Sequence, residues 1–282
     1  MTHYPLGTSD AELDRLRFQH EVWGGKTRAF LDRIGVKPGL RVLDLGCGPG
    51  FVTFELAERV GAGGEVVALD ESPRWIEHVE GEIRRLGVSN VRAVRSRIQE
   101  ADFETESFDL VFARWVLSFL PSPGDVVARL SRCLAVGGAF AFQDYNHEGV
   151  SLFPESEGFR AIVRATRAMY AQSGGDTWVA GRTGAIFRKA GLETESVVPN
   201  VICGGPDSPA FRWAGLFFPH FSVAMEQKGL LTAAERRQFL AEWAAREQDP
   251  DALFFSPIVV DAIGRKRPRA DRSKSKDPAR TS

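Results

Sequence analysis

Cysteine is scarce: Cys47, Cys133 and Cys203 are widely spaced in 282 residues and form no CxxC pair, which excludes a disulfide framework and a zinc site. They read as reduced thiols. Histidine is scarce too, at five, and no metal-ligating cluster is visible, so no metal is expected. No stretch approaches the ~18 to 20 uninterrupted apolar residues that cross a bilayer, so a membrane protein is not expected. The opening MTHYPLGTSDAELDRL lacks a positively charged start leading into an apolar run. It does not read as a secretory signal, and a cytoplasmic protein is expected.

An excess of one charge is also missing, with 36 Lys and Arg against 37 Asp and Glu. What basic charge there is gathers at the end, where residues 265–282 hold eight Lys or Arg and two Asp. The rest of the chain is therefore acidic, which argues against a nucleic-acid groove in the folded part. The end segment, rich in Lys, Arg, Ser and Pro, reads as a disordered basic tail, and nucleic acid is not an expected partner.

What is present is an ordinary globular composition, 43% hydrophobic and 26% charged. RVLDLG, EVVALD, VRAVRS, FDLVFA and GGAFAFQDY read as short buried strands separated by amphipathic stretches, which predicts a doubly wound α/β domain with a parallel sheet. Ligands of such sheets sit beyond the strand carboxyl ends. Ahead of the first strand, residues 10–35 read as two helices bent at Gly24-Gly25. Later come a helical run from Phe159 to Tyr170, a helix-Gly-strand unit at 183–203, an aromatic-rich insert with Phe211, Trp213, Phe217, Phe218, Phe221, Phe239 and Trp243, and FFSPIVVDAIGRK, which alternates like a last strand. The two inserts suggest a lid over an apolar pocket.

The strongest local signal is VLDLGCGPG, a strand ending in Asp44 and a turn with Gly46, Gly48 and Gly50 that opens a helix. Asp70 ends the next strand, 20 residues past Gly50, where a carboxylate can accept two ribose hydroxyls. A dinucleotide fold would show GxGxxG and a pyrophosphate at the helix start. Here the spacing is GxGxG with Asp44 two residues ahead, and a carboxylate so placed suits a cationic ligand better than a phosphorylated one.

These residues resemble the class I S-adenosylmethionine-dependent methyltransferases. VLDLGCGPG is similar to that family's first motif, EVVALDESP to its ribose-binding strand end, SFDLVFARWVLSFLP to its fourth-strand motif and LAVGGAFAF to the turn before strand five; the resemblance covers about residues 10 to 267. YPLGTSDAELDRLRFQ is similar to the lead-in of a broad bacterial subgroup. The implied fold is a Rossmann-like, mostly parallel seven-stranded sheet with helical lid inserts. The implied division is 1–36 as an N-terminal helical lid, 37–146 as the cofactor-binding core, 147–180 as a helical insert, 181–203 as core helix and strand, 204–252 as the aromatic insert, 253–267 as the last core strand and 268–282 as the tail.

The resemblance implies S-adenosylmethionine as cofactor, with S-adenosylhomocysteine as product. Gly46, Cys47 and Gly48 would lie against its methionine portion, Asp70 would hold the ribose, and Ala113 and Arg114 would meet the amino end through their backbone. Glu71 stands where the family usually has an apolar residue, and Arg97 replaces a frequent Asp of the adenine site. Ile98 would offer its N–H there, and Trp75 would cover adenine. Tyr4, Phe18 and Gln19 in the lead-in are candidates to close over the cofactor.

Methyl transfer from a sulfonium needs alignment, and deprotonation where the acceptor requires it. His147, just past strand five with Tyr145, is the first candidate for a base; His20 and His220 are rivals. The aromatic insert reads either as acceptor pocket or as plain core or dimer contact, which keeps a homodimer open. The expected reaction methylates an O or N of a small, largely apolar molecule. Alternatives are methylation of protein or RNA, for which the fourth strand's FARW ending lacks the Pro-Pro-aromatic run of base methyltransferases, a cofactor-binding regulator or non-methylating member of the fold, and an NAD(P) oxidoreductase.

Overall fold

A computed structural model describes residues 7–268, so Tyr4 and the basic tail beyond Pro268 lie outside the described residues. In chain order the elements are α1 (Asp10–Ile34), β1 (Arg41–Leu45), α2 (Phe51–Val60), β2 (Glu65–Asp70), α3 (Pro73–Leu86), β3 (Val91–Arg95), β4 (Phe108–Arg114), α4 (Pro123–Leu130), β5 (Leu134–Asn146), β6 (Ser151–Phe153), α5 (Glu157–Gln172), α6 (Thr183–Lys189), β7 (Glu193–Asn200), β8 (Cys203–Gly204), α7 (Pro209–Gln227), α8 (Ala233–Glu247), β9 (Leu253–Phe255) and β10 (Ile258–Arg265).

Seven strands form one sheet in the order β3-β2-β1-β4-β5-β10-β7. Strands β1 to β5 pair in parallel, and β10 runs antiparallel to both β5 and β7. The expected mostly parallel seven-stranded α/β sheet is what the chain forms. The chain moves outward from β1 to β3 and then crosses back to β4, so the strand order reverses between β1 and β4. Leu45 pairs with both Leu69 and Ala113, so the ends of β1, β2 and β4 open onto one crevice.

The central strands are buried almost without interruption, as the apolar runs in β1, β2 and β4 require when helices cover both faces. β10 is likewise buried along its length instead of alternating, because it lies inside the sheet, and the edge position falls to the more exposed β7. The Phe254-Phe255 pair that opens its sequence run belongs to a separate strand: β9 pairs with β6 and β8 in a small antiparallel sheet.

The expected bend at Gly24-Gly25 is absent, and α1 is one helix of 25 residues. Two glycines in a helix interior cost roughly 1 kcal/mol each. Burial of Trp23, Thr27, Phe30, Leu31 and Ile34 on one face outweighs that cost. Gly24 also leaves room for Arg28, whose Nη1 would lie 2.9 Å from a Cβ there and instead bonds Glu55 of α2 at 2.9 Å. Beyond the carboxyl edge, the aromatics of the inserts make their own core with Trp23 and Tyr145, among them Phe159, Phe211, Phe218, Phe239, Trp243 and Phe254.

Candidate active site

The glycine turn needs residues without a Cβ. Gly46 has φ +65°, and a Cβ on it would lie 2.7 Å from Val116 Cγ2. Gly48 has φ +54° with open space on its Cβ side, which leaves the turn accessible to a ligand. Cys47 N–H donates to the Leu69 carbonyl at 3.0 Å and ties the turn to β2. Asp70 accepts from Gly48 N–H and Ser72 N–H, both at 2.9 Å, one on each carboxylate oxygen. Each oxygen keeps a lone pair for a further donor. Burial holds the Asp70 pKa above the usual carboxylate value, against the pull of these N–H groups. Asp44 is buried below the turn, accepts from Thr53 Oγ1 at 2.6 Å, and is pushed up to about 6 by desolvation.

Glu71 and Arg97, the two departures from the family pattern, face each other: Arg97 Nε lies 3.8 Å from Glu71 Oε2, and its Nη1 lies 3.0 Å from Glu100. Ile98 packs its side chain against the core, and its carbonyl accepts from Arg129. Trp75 is buried in the first turn of α3.

Arg114 contributes more than backbone. Its guanidinium donates to Thr27 Oγ1 at 3.1 Å, meets His20 Nδ1 at 3.2 Å and lies 4.8 Å over the Trp115 ring. Burial lowers its pKa to about 10. Thr27 in turn donates to Gln143 Oε1 at 2.8 Å, and Gln143 Nε2 donates to Asp261 at 2.6 Å, a buried relay from α1 through β5 to β10. Trp115 holds φ +53°, costly for a bulky residue. It is fixed by its N–H on the Gln143 carbonyl at 2.8 Å, by stacking on Tyr145 at 6.1 Å and by an edge contact with Trp23.

Asp144, unassigned from sequence, organises the turn after β4. It accepts from Val116 N–H at 3.0 Å, Ser118 N–H at 3.1 Å and Tyr145 N–H at 2.8 Å, and burial pushes it up to about 6. Its signal in the sequence was a charged residue closing an otherwise apolar strand.

His147 and Tyr145 come together beside an apolar pocket, their rings edge to face at 5.9 Å. Tyr170, Trp213, Phe217 and Phe218 complete much of its wall. The aromatic insert is thus core on one side and pocket lining on the other. Burial and the Arg167 charge lower the His147 pKa to about 3. His20 instead stacks on Phe51 at 5.4 Å and pairs with Glu55, and His220 is exposed on α7. The Gln19 amide oxygen accepts from Arg15 and from Trp213 Nε1, both at 3.1 Å, so it joins α1 to α7. Phe18 lies under the Arg212 guanidinium. Among the described residues no His, Cys, Asp and Glu cluster suits a metal, and no helix is long and apolar enough to cross a membrane.

The demethylmenaquinone methyltransferase of Lactococcus lactis is 30% identical over 138 residues, 49% of this chain and 54% of that protein. The aklanonic acid methyltransferase of a Streptomyces species is 38% identical over 134 residues, 48% of this chain and 60% of that protein. The chain spans about half the length of these curated relatives. The geranyl diphosphate C-methyltransferase of Streptomyces coelicolor shares the fold, with a TM-score of 0.57 at 14% identity over 88% of this chain and 77% of that one. A methyltransferase-domain family matches residues 36–194. That match begins ahead of β1 and ends within β7, so it takes in the glycine turn, Asp70, Arg114 and Asp144, and the chain belongs to the class I S-adenosylmethionine-dependent methyltransferases.

Proposed function

We propose that the chain methylates an oxygen or nitrogen of a small, largely apolar molecule, with S-adenosylmethionine as donor. The cofactor end of the cleft suits that ligand. The turn at Gly48 is open, Asp70 presents spare lone pairs at a strand end, and Gly46, Cys47, Asp70 and Arg114 would hold the methionine and ribose portions. When bound, the cofactor supplies a methyl on a cationic sulfur, and the pair of electrons left behind by the methyl stays on that sulfur.

The observation that carries the acceptor class is the pocket at the end of β5. Its wall is aromatic, and it adjoins the cofactor end through a continuous contact series: Arg114 on Trp115, Trp115 on Tyr145, Tyr145 on His147. The space within the wall has room for little more than a water molecule, so an acceptor enters only as the two inserts part, and the wall it then meets is apolar. Tyr145 and His147 supply polar edges that can orient the attacked atom. The two curated relatives support the reading, since both names specify small organic acceptors.

The test is transfer of labelled methyl from S-adenosylmethionine into an extract of the source cells, followed by separation of small molecules from macromolecules. Label in an organic-soluble small-molecule fraction is expected. Label in protein or RNA would overturn the assignment.

A further inference from the structure

Arg167 of α5 grips His147 at two points. Its Nε donates to the ring Nδ1 at 3.4 Å and its Nη2 donates to the His147 carbonyl. The guanidinium is held in place by the Trp178 ring 4.9 Å below it and by Glu148, 4.0 Å away, and Glu148 accepts from Trp178 Nε1 at 2.8 Å. The His147 N–H donates to the Thr177 carbonyl at 3.0 Å, so the backbone is fixed as well as the ring.

A guanidinium can only donate. The nitrogen facing it must therefore be the unprotonated one, and the proton of the neutral ring sits on Nε2. Protonating Nδ1 would replace this bond with a contact between two cations in a buried site. We infer that His147 serves the pocket as a neutral hydrogen-bond donor through Nε2, with Arg167 as the positioning residue that sets its tautomer, and that it selects acceptors presenting an oxygen able to accept. The inference rests on the assignment of this pocket to the methyl acceptor.

The surroundings agree. Burial and the Arg167 charge both disfavour the imidazolium, in line with a pKa near 3, far below that of an effective base at neutral pH. The charged and titratable groups around the ring are Arg167 and Tyr170 from α5, Glu148 from the loop after β5, and Tyr145 and Asp144 from β5, with the Asp144 carboxylate turned to the Val116, Ser118 and Tyr145 N–H groups. Thr166, another polar residue of the wall, spends its hydroxyl on the Ile162 carbonyl at 2.8 Å. An ammonium has no lone pair to accept the Nε2 proton, so a carbonyl, phenol or enol oxygen is favoured over it.

The experiment uses the full chain with S-adenosylhomocysteine and histidine labelled with nitrogen-15 in the ring. Long-range proton–nitrogen spectra, with His147 identified from the H147Q variant, should show Nδ1 unprotonated and Nε2 protonated, unchanged down to about pH 5. In R167M the tautomer should mix and the titration should move up toward the ordinary histidine range. A protonated Nδ1 in the unaltered protein, or its titration near the ordinary value, would overturn the inference.

A matched pair then tests selection: 4-methylacetophenone, whose oxygen can only accept, against p-xylene. The ketone should bind about three- to tenfold more tightly, an advantage lost in H147F and kept in H147Q. Both compounds binding with no such advantage would overturn the donor role alone. Binding of neither compound, with the cofactor still bound, would overturn the acceptor-pocket assignment itself.

Discussion

The glycine turn and the aromatic pocket are held by bonds of different reach. At the glycine turn Asp70 bonds Gly48 and Ser72, 22 and two residues away, and Asp44 bonds Thr53, nine away. At the pocket, Trp213 bonds Gln19 across 194 residues, and Phe159 packs on Phe218, Trp243 and Phe254. The glycine turn can close once one βαβ unit has formed, while Arg114 beside it is tied to Thr27 of α1 across 87 residues. The pocket needs α1, α5, α7, α8 and β9 docked together, at a larger loop-closure cost. The binding of the cofactor should therefore outlast damage to the lid.

Phe159→Ala tests that separation most severely. The ring is almost fully buried among three aromatic partners, so its removal should cost about 3 to 5 kcal/mol. A lower-melting transition for the lid is expected in thermal unfolding, with cofactor affinity by calorimetry in the cold changed less than about twofold. Joint loss of both in one transition would show that the ends are a single cooperative unit.

Next in size is a pH effect at the hinge between the ends. The Asp144 pKa is raised to about 6, so the folded state binds a proton more tightly than the unfolded chain does. Its contribution to stability is full below the unfolded value and is lost as pH rises through about 6. Asp144→Asn, which stays neutral, should therefore be less damaging at pH 7 than at pH 4 by roughly 2 to 3 kcal/mol, read from urea unfolding at both. Equal penalties would mean that the carboxylate is solvated.

At the cofactor end alone, Asp70→Ala should weaken S-adenosylmethionine binding by about 1.5 to 3 kcal/mol, because charge-assisted bonds to the ribose and the anchor of Gly48 go together. Calorimetry reads this directly, and unchanged affinity would remove Asp70 from the site.

The same difference in reach explains what could be read in advance. The glycine turn, Asp70 and the buried central strands follow from local periodicity and backbone demands within a few dozen residues. The continuous α1 did not, because the partners that bury its apolar face, such as Phe112 of β4 and Trp213 of α7, are far away in the sequence. Nor did β9, whose partners Ser151 and Cys203 lie about 100 and about 50 residues ahead of it in the chain. Asp144 and Arg167 were hidden for a related reason: a carboxylate ending a strand and an arginine on an amphipathic helix are ordinary until the groups they bond are in place.

The smallest effect is expected at Arg97, where the chain departs from its family beside the cofactor end. Arg97 and Glu71 are each nearly half exposed, and Arg97 also reaches Glu100, so screening by water leaves such a network little net value. Arg97→Ala should change stability by less than about 0.5 kcal/mol, and the change should vanish in salt. If the pair only neutralises itself at the surface, cofactor affinity should also hold within about twofold. A tenfold loss, about 1.4 kcal/mol, would instead place the guanidinium against the adenine. It would also show that polar contacts at this end extend past Asp70 to the loop after β3, which sharpens the contrast with the aromatic end, where a comparable loss requires removing a whole ring.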